Sequence, residues 1–164
     1  MQEPQLKIVE KTQGVEMPNL KQKHIKPARN VPYAEGILVY NGTGSTISQN
    51  TVVRVLAGAL NGGGLKITAA SAATDVAGGK VPLFVTKHGI PTGKWGVVLP
   101  WSIVSGVNTS GVAAEGNVVY LQDAAGTYGA AAGTVSRAVG ICIVKHASTG
   151  IVWLCPNQFS YETA

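Results

Sequence analysis

The side chains of this sequence able to carry a reaction are few: the acids Glu35, Asp75, Glu115, Asp123 and Glu162 beyond residue 32, the histidines His24, His88 and His146, and the cysteines Cys142 and Cys155. Glu115 and Asp123 flank the apolar run Val118–Leu121, and two carboxylates facing one sugar ring would suit glycoside hydrolysis at a spacing of about 5–9.5 Å. They stand at opposite ends of a strand rising about 3.3 Å per residue, which carries them further apart than that. They read as loop ends facing solvent. The histidines are distant from one another, each in a polar loop or in the N-terminal segment, and no Ser or Cys occupies a strained Gly-x-Ser-x-Gly turn. Gly129-Ala130-Ala131-Ala132-Gly133-Thr134 looks like a phosphate loop but is one residue short between its glycines and lacks the lysine that reaches the phosphates. Asn41-Gly42-Thr43-Gly44 fails the dinucleotide pattern because Ile47 stands where the third glycine belongs. Two cysteines with no second pair and no nearby histidine make no zinc site. The expectation is a protein that is not an enzyme and holds no metal or cofactor.

Around these residues the chain is a succession of short apolar runs closed by Gly, Asn, Ser and Thr, the signature of strands joined by turns. The runs are Ile37–Tyr40, Thr51–Ala57, Leu65–Thr68, Val81–Thr86, Trp95–Leu99, Trp101–Val107, Val118–Leu121, Ala138–Val144 and Ile151–Leu154. Asn61-Gly62-Gly63-Gly64 sets a hairpin between the second and third, and Lys145–Gly150 sets another between the last two. In Val139-Gly140-Ile141-Cys142-Ile143-Val144 both alternating faces are apolar or small, which predicts a strand covered on both sides in a small barrel or sandwich. On a final hairpin centred near Ser148, Cys142 and Cys155 fall opposite or diagonal to each other; a disulfide is conceivable there, while in a reducing compartment they read as small buried apolar side chains. Residues 124–134 are too broken by glycine for a helix and read as a long surface loop able to touch a neighbour. Trp95, Trp101 and Trp153 are large groups in a chain poor in aromatics, and serve as anchors of the core or of a subunit interface.

At 164 residues the chain suits one core, and its 13% of charged residues is about half the usual share. So weakly charged an exterior fits burial between subunits better than life as a free monomer. No run approaches the about 18–20 apolar residues that cross a bilayer, so no membrane partner is expected. Met1-Gln2-Glu3-Pro4-Gln5 has no basic segment leading into an apolar one, so synthesis in a host cytoplasm is the expectation.

Residues 1–32 differ from 33–164. They carry six basic against three acidic residues, a surplus of +3 out of the chain's +5. Pro4, Pro18, Pro27 and Pro32 confine this segment to extended or turn conformations. It reads as an extended basic arm preceding a β-rich domain. At about 3.3 Å per residue it spans on the order of 100 Å, enough to cross a neighbour, and a strand around Leu6–Val9 could add to a partner's sheet edge. Lys21-Gln22-Lys23-His24-Ile25-Lys26 could meet phosphates, but no aromatic is interleaved to stack on bases, so nucleic acid is not the expected partner.

One part of the chain is less anonymous. Ser105-Gly106-Val107-Asn108-Thr109-Ser110, then Gly116-Asn117-Val118-Val119-Tyr120-Leu121, then the Gly/Ala/Thr-rich loop, then Val139 through Leu154, resembles a β-module of tailed-bacteriophage structural proteins. It is most similar to head decoration (cement) proteins of the lambda-like β-tulip kind, and related modules occur in phage tail fibres. The resemblance spans roughly residues 81–156 and includes no catalytic signature. It implies a mainly β protein, a small β-barrel or β-tulip-like domain, that binds the major capsid protein of an assembled shell as a homotrimer between capsomers on the outer surface of the virion head. On that reading the arm makes the shell contact, with Leu6, Ile8, Val9, Met17, Leu20 and Ile25 as apolar anchors and Lys21, Lys23, Lys26 and Arg29 pairing with acidic shell surface. A tail or neck fibre component is the alternative within the same class, although the chain has no heptads for a shaft. A soluble carbohydrate-binding or hydrolytic β-domain is the alternative from another class. The arm and the longer body depart from compact decoration proteins and leave the attachment site open.

Overall fold

The computed structural model describes residues 36–61, 64–73 and 81–158. The arm proposed at 1–32, with its anchors and basic residues, lies outside them. Within the described residues the chain is all strand: β1 (Ile37–Asn41), β2 (Val52–Asn61), β3 (Gly64–Ala69), β4 (Leu83–Thr86), β5 (Trp95–Leu99), β6 (Ser102–Val107), β7 (Val118–Leu121), β8 (Tyr128–Gly129), β9 (Ala138–Val144) and β10 (Gly150–Leu154). Each of the nine runs expected between residues 36 and 154 contains a strand, β4 beginning only at Leu83, and the strand expected around Leu6–Val9 lies outside the described residues. The β-branched residues that dominate these runs suit a pleated, half-buried surface, and the Gly, Asn and Ser between them permit the turns.

The first five strands close into a barrel in the order β1-β3-β2-β4-β5. β2 and β3 form the expected hairpin, with Asn61 opposite Gly64. β1 lies parallel to β3, and closure comes from antiparallel pairing of β1 with β5, where Ile37 faces Val98 and Tyr40 faces Trp95. The remaining strands make a second sheet, β6-β10-β9-β7-β8, curled into a half-barrel whose edges, β6 and β8, do not meet.

Two buried clusters follow from the two-residue period of the strands. Val39, Val53, Ile67, Phe84, Ile90 and Val98 fill the barrel. Val52, Leu83 and Val85 point the other way and join Val104, Val119, Leu121, Val139, Cys142, Val152 and Leu154 of the second sheet. β4 is therefore the shared wall, and all four of its residues are buried.

The expectation that Val139–Val144 is covered on both sides needs correcting. Val139 and Cys142 are fully buried, but Ile143 is 46% exposed. Only one face of β9 meets a layer of the same chain, and the outward face, though apolar, does not. The loop at 124–134 is also less free than expected. Gly126 takes a left-handed conformation, φ +79°, that admits glycine at no steric cost, and its N–H donates to the Ala70 carbonyl while its own carbonyl accepts from Val52 N–H at 3.3 Å. Tyr128 and Gly129 then pair with Leu121 and Tyr120 as the short strand β8, and Thr134 donates from its N–H to Asp123 Oδ1 at 2.7 Å.

Polar side chains are spent on architecture. Asn41, wholly buried, donates from Nδ2 to the carbonyls of Ser45 and Ile90, both at 2.8 Å, and accepts from Thr43 at Oδ1. Asn157, beyond β10, acts like one more residue of a sheet: its Oδ1 accepts from Leu83 N–H at 2.9 Å and its Nδ2 donates to the Leu83 carbonyl at 2.6 Å. This ties the end of the second sheet to the barrel wall. Asn157→Ala is expected to lower folding stability by about 1–2 kcal/mol, because both buried groups of Leu83 lose their partner. The check is the thermal midpoint of the purified protein, and an unchanged midpoint would show the tie to be idle.

Candidate protein-docking site

Pro100 ends β5, since it has no N–H to continue a ladder, and the chain leaves the barrel through Trp101 into β6. β6 and β9 both pair with β10, in a register that sets Ile103 and Ile141 on either side of Trp153. Residues at one register position project from the same face, so Ile103, Trp153 and Ile141 form a row across the outside of the half-barrel. Ile143 follows two residues along β9. Trp101, Ile103, Ile143 and Trp153 enclose a shallow depression of about 390 Å³, and no polar atom lines it. Ile103 is 65% exposed and Trp101 49%. Returning any of these side chains to an apolar environment is favourable by on the order of 1 kcal/mol. Such a face suits contact with another protein surface and has no means of orienting a polar small molecule.

None of the three tryptophans belongs to either buried cluster, so the core half of the expectation gives way. Trp101 and Trp153 form the depression. Trp95 sits on the barrel exterior, edge-on to Tyr40 with ring centroids 5.5 Å apart, and covers Gly64 so closely that a Cβ there would meet its ring. Large aromatic side chains in a chain of small ones suggest burial by frequency alone, and only the register shows which face each takes.

Glu35, Asp75, Glu162 and His24 lie outside the described residues; Glu115, Asp123 and His146 are structural ties. Glu115 accepts the Lys145 N–H at 3.0 Å, holding the β9–β10 turn to the loop before β7. Asp123 takes Thr134 N–H on one oxygen and Thr134 Oγ1, at 2.9 Å, on the other. His146 Nδ1 accepts from the N–H groups of Ser148 at 3.1 Å and Thr149 at 3.0 Å, which shapes the turn of the final hairpin. His88 Nδ1 lies 2.9 Å from the Gly89 carbonyl. No group of three His, Cys, Asp or Glu gathers among the described residues, and none of their helices is long and apolar enough to cross a membrane. Cys142 and Cys155 are both buried free thiols. Cys142 faces Val152, and Cys155 N–H bonds to the Val139 carbonyl, so the two are not the opposed or diagonal pair expected. Burial pushes the Cys155 thiol above its ordinary range.

A second concavity, of about 620 Å³, occupies the inside of the half-barrel where its edges fail to meet. Val119 and Val152 form its floor, Val107–Val112 one wall, and Gly126–Ala130 the other. Tyr128 projects into it, and burial raises its phenol above the ordinary 10.0. A raised folded-state value means that the unfolded chain loses this proton first, so the contribution is intact below about pH 10 and lost as pH rises beyond it. Tyr128→Phe is expected to remove part of the fall in stability between neutral and strongly alkaline pH, read from denaturant midpoints of both proteins across that range.

No family model, no curated protein and no solved structure matches the chain.

Proposed function

We propose that this protein is a non-enzymatic virion component, a head decoration protein that binds the major capsid protein of an assembled phage shell and stabilises it, as a homotrimer between capsomers on the outer surface of the head. The observation that carries a structural reading is the wholly apolar depression at Trp101, Ile103, Ile143 and Trp153. The phage assignment rests on the resemblance across residues 81–156.

Sister copies cover this face. An apolar face exposed from synthesis onward invites non-specific association unless a partner is present at once. Copies of the same chain are present from the start, whereas an assembled shell comes later. The arm at 1–32 then reaches from the trimer to the shell. A protein that binds the assembled lattice and not its separated subunits stabilises the lattice by mass action, and many copies make modest contacts sum. A carbohydrate-binding reading is less well supported, since a sugar needs polar groups beside an aromatic platform and the depression has none.

The test is antibody against residues 33–164, gold-tagged, on intact virions. Label over the head is expected. Label on the tail alone would transfer the same module to a fibre or neck, and no label on any virion would end the virion reading. Serine at Met17, Leu20 and Ile25 together is expected to weaken head binding at least tenfold with the thermal midpoint unchanged.

A further inference from the structure

The half-barrel is open at one seam. Its neighbour in the same chain closes with five strands, yet the second sheet, also of five, leaves β6 and β8 apart. β8 is only two residues long, so the sheet ends before it can turn back to β6. The outer edge of β6 pairs with no other strand among the described residues, and the concavity of about 620 Å³ opens between the end of β6 at Val107, with the loop that follows it, and β8. Its floor is apolar, Val119 and Val152, and its rim is polar, with Asn108, Ser110 and Thr127. That combination matches an added strand: backbone groups meet the open edge, one alternate row of side chains enters an apolar trough, and the other row meets solvent.

We infer that the seam accepts an extended segment from residues 1–32 of a second copy of this chain, with Leu6 and Ile8 entering the trough and Lys7 facing out. This inference rests on the reading of 1–32 as an arm and names what it grips. Three features select this occupant. Leu6-Lys7-Ile8 alternates apolar and polar residues as the trough requires. Twenty-seven residues separate Ile8 from Gly36, where the described body begins, and at about 3.3 Å per residue they extend on the order of 90 Å, enough to reach a neighbouring copy. The trough also carries no lysine, arginine, aspartate or glutamate, so nothing in it repels the arm's basic surplus. Exchange of arms around a ring of copies places one strand in every seam, and each copy both gives and receives.

The test uses full-length chains. Ile8→Cys is made in one tagged copy and Ser110→Cys, on the exposed rim, in an untagged copy; the two are co-expressed and mildly oxidised. Native Cys142 and Cys155 are buried and serve as the background. A disulfide joining tagged to untagged chains is expected, at least tenfold above the yield with Ser45→Cys, an exposed position on the barrel, in place of Ser110→Cys. Equal yields at the two positions would overturn the inference. So would a chain carrying both Ile8→Cys and Ser110→Cys that closes on itself and links to no other copy. Hydrogen exchange supplies a readout independent of cysteine chemistry: amides of β6 and of Tyr128–Ala130 are expected to exchange at least tenfold faster in an Ile8→Asp protein than in the parent, and an identical rate would overturn the inference. Neither readout requires a virion, so failure here and failure of the head assignment are separable.

Discussion

Phe84→Ala is expected to cost about 3–5 kcal/mol of folding stability, and Leu83→Ala, its immediate neighbour, about 2–5 kcal/mol. Adjacent residues of one strand seldom both matter to this degree, since one of them normally faces solvent. Here Phe84 fills the barrel and Leu83 fills the space between the barrel and the second sheet. Each truncation opens a cavity lined by rigid strands with little freedom to collapse, which sets the cost at the upper part of the range for its type. The two losses fall in different clusters, so the double variant tests whether barrel and half-barrel melt as one unit. Additive losses with a single transition are expected, measured by denaturant unfolding followed by tryptophan fluorescence and by far-ultraviolet dichroism. Two separated transitions in either single variant would show that β4 does not bind the two clusters into one cooperative body.

Ile103→Asp combined with Ile143→Asp is expected to raise the dissociation constant between copies at least about 100-fold, which is about 2.7 kcal/mol or more. The two side chains are 65% and 46% exposed within one chain, so a charge at either position stays hydrated while the protein is monomeric. In the proposed assembly the same carboxylates would be driven into an apolar depression with no donor to meet them, and that desolvation is the source of the expected effect. The folding midpoint is expected to change by no more than about 1 kcal/mol for each substitution, the span of strand propensity at exposed positions. Sedimentation velocity over a concentration series reads the first quantity and thermal unfolding the second. An unaltered sedimentation coefficient with an unaltered midpoint would remove this face from any contact between copies.

The paired outcomes separate two roles that look alike in sequence. Leu83 and Ile103 are both aliphatic residues in short β-branched runs, and nothing local distinguishes them. Leu83 is completely buried because β4 passes between two layers, and Ile103 is exposed because it projects from the outer face of the second sheet, away from the buried cluster that its neighbour Val104 joins. For the same reason Val139–Val144, apolar on both faces, looked like the doubly covered strand, whereas the strand that has that place is the shorter Leu83–Thr86. An apolar outer face calls for a cover, and a sequence does not say whether the cover belongs to the same chain.

Local chemistry was enough for the strands themselves. Val, Ile and Thr clusters bounded by Gly and Asn set where the chain is extended, and Asn61-Gly62-Gly63-Gly64 set the hairpin that pairs Asn61 with Gly64. Glu115, Asp123 and His146 are found holding loops. β8 left no such trace. Tyr128 and Gly129 stand in a run of glycine and alanine with no strand preference, and they become a strand because Gly129 approaches Gln122 so closely that a Cβ would meet its side chain. That proximity arises only after β7 is in place.

What the sequence determined by itself is therefore what depends on neighbours a few residues apart: the strands of the described residues, their turns and the low charge. The tertiary structure alone decided what depends on distant partners. The parallel pairing of β1 with β3, the closure of one sheet and not the other, and the exposure of Trp101, Ile103 and Ile143 all belong to this second kind. The physical reason is that strand pairing and burial are set by contacts far apart in the chain, whereas propensity and turn chemistry act within a few residues.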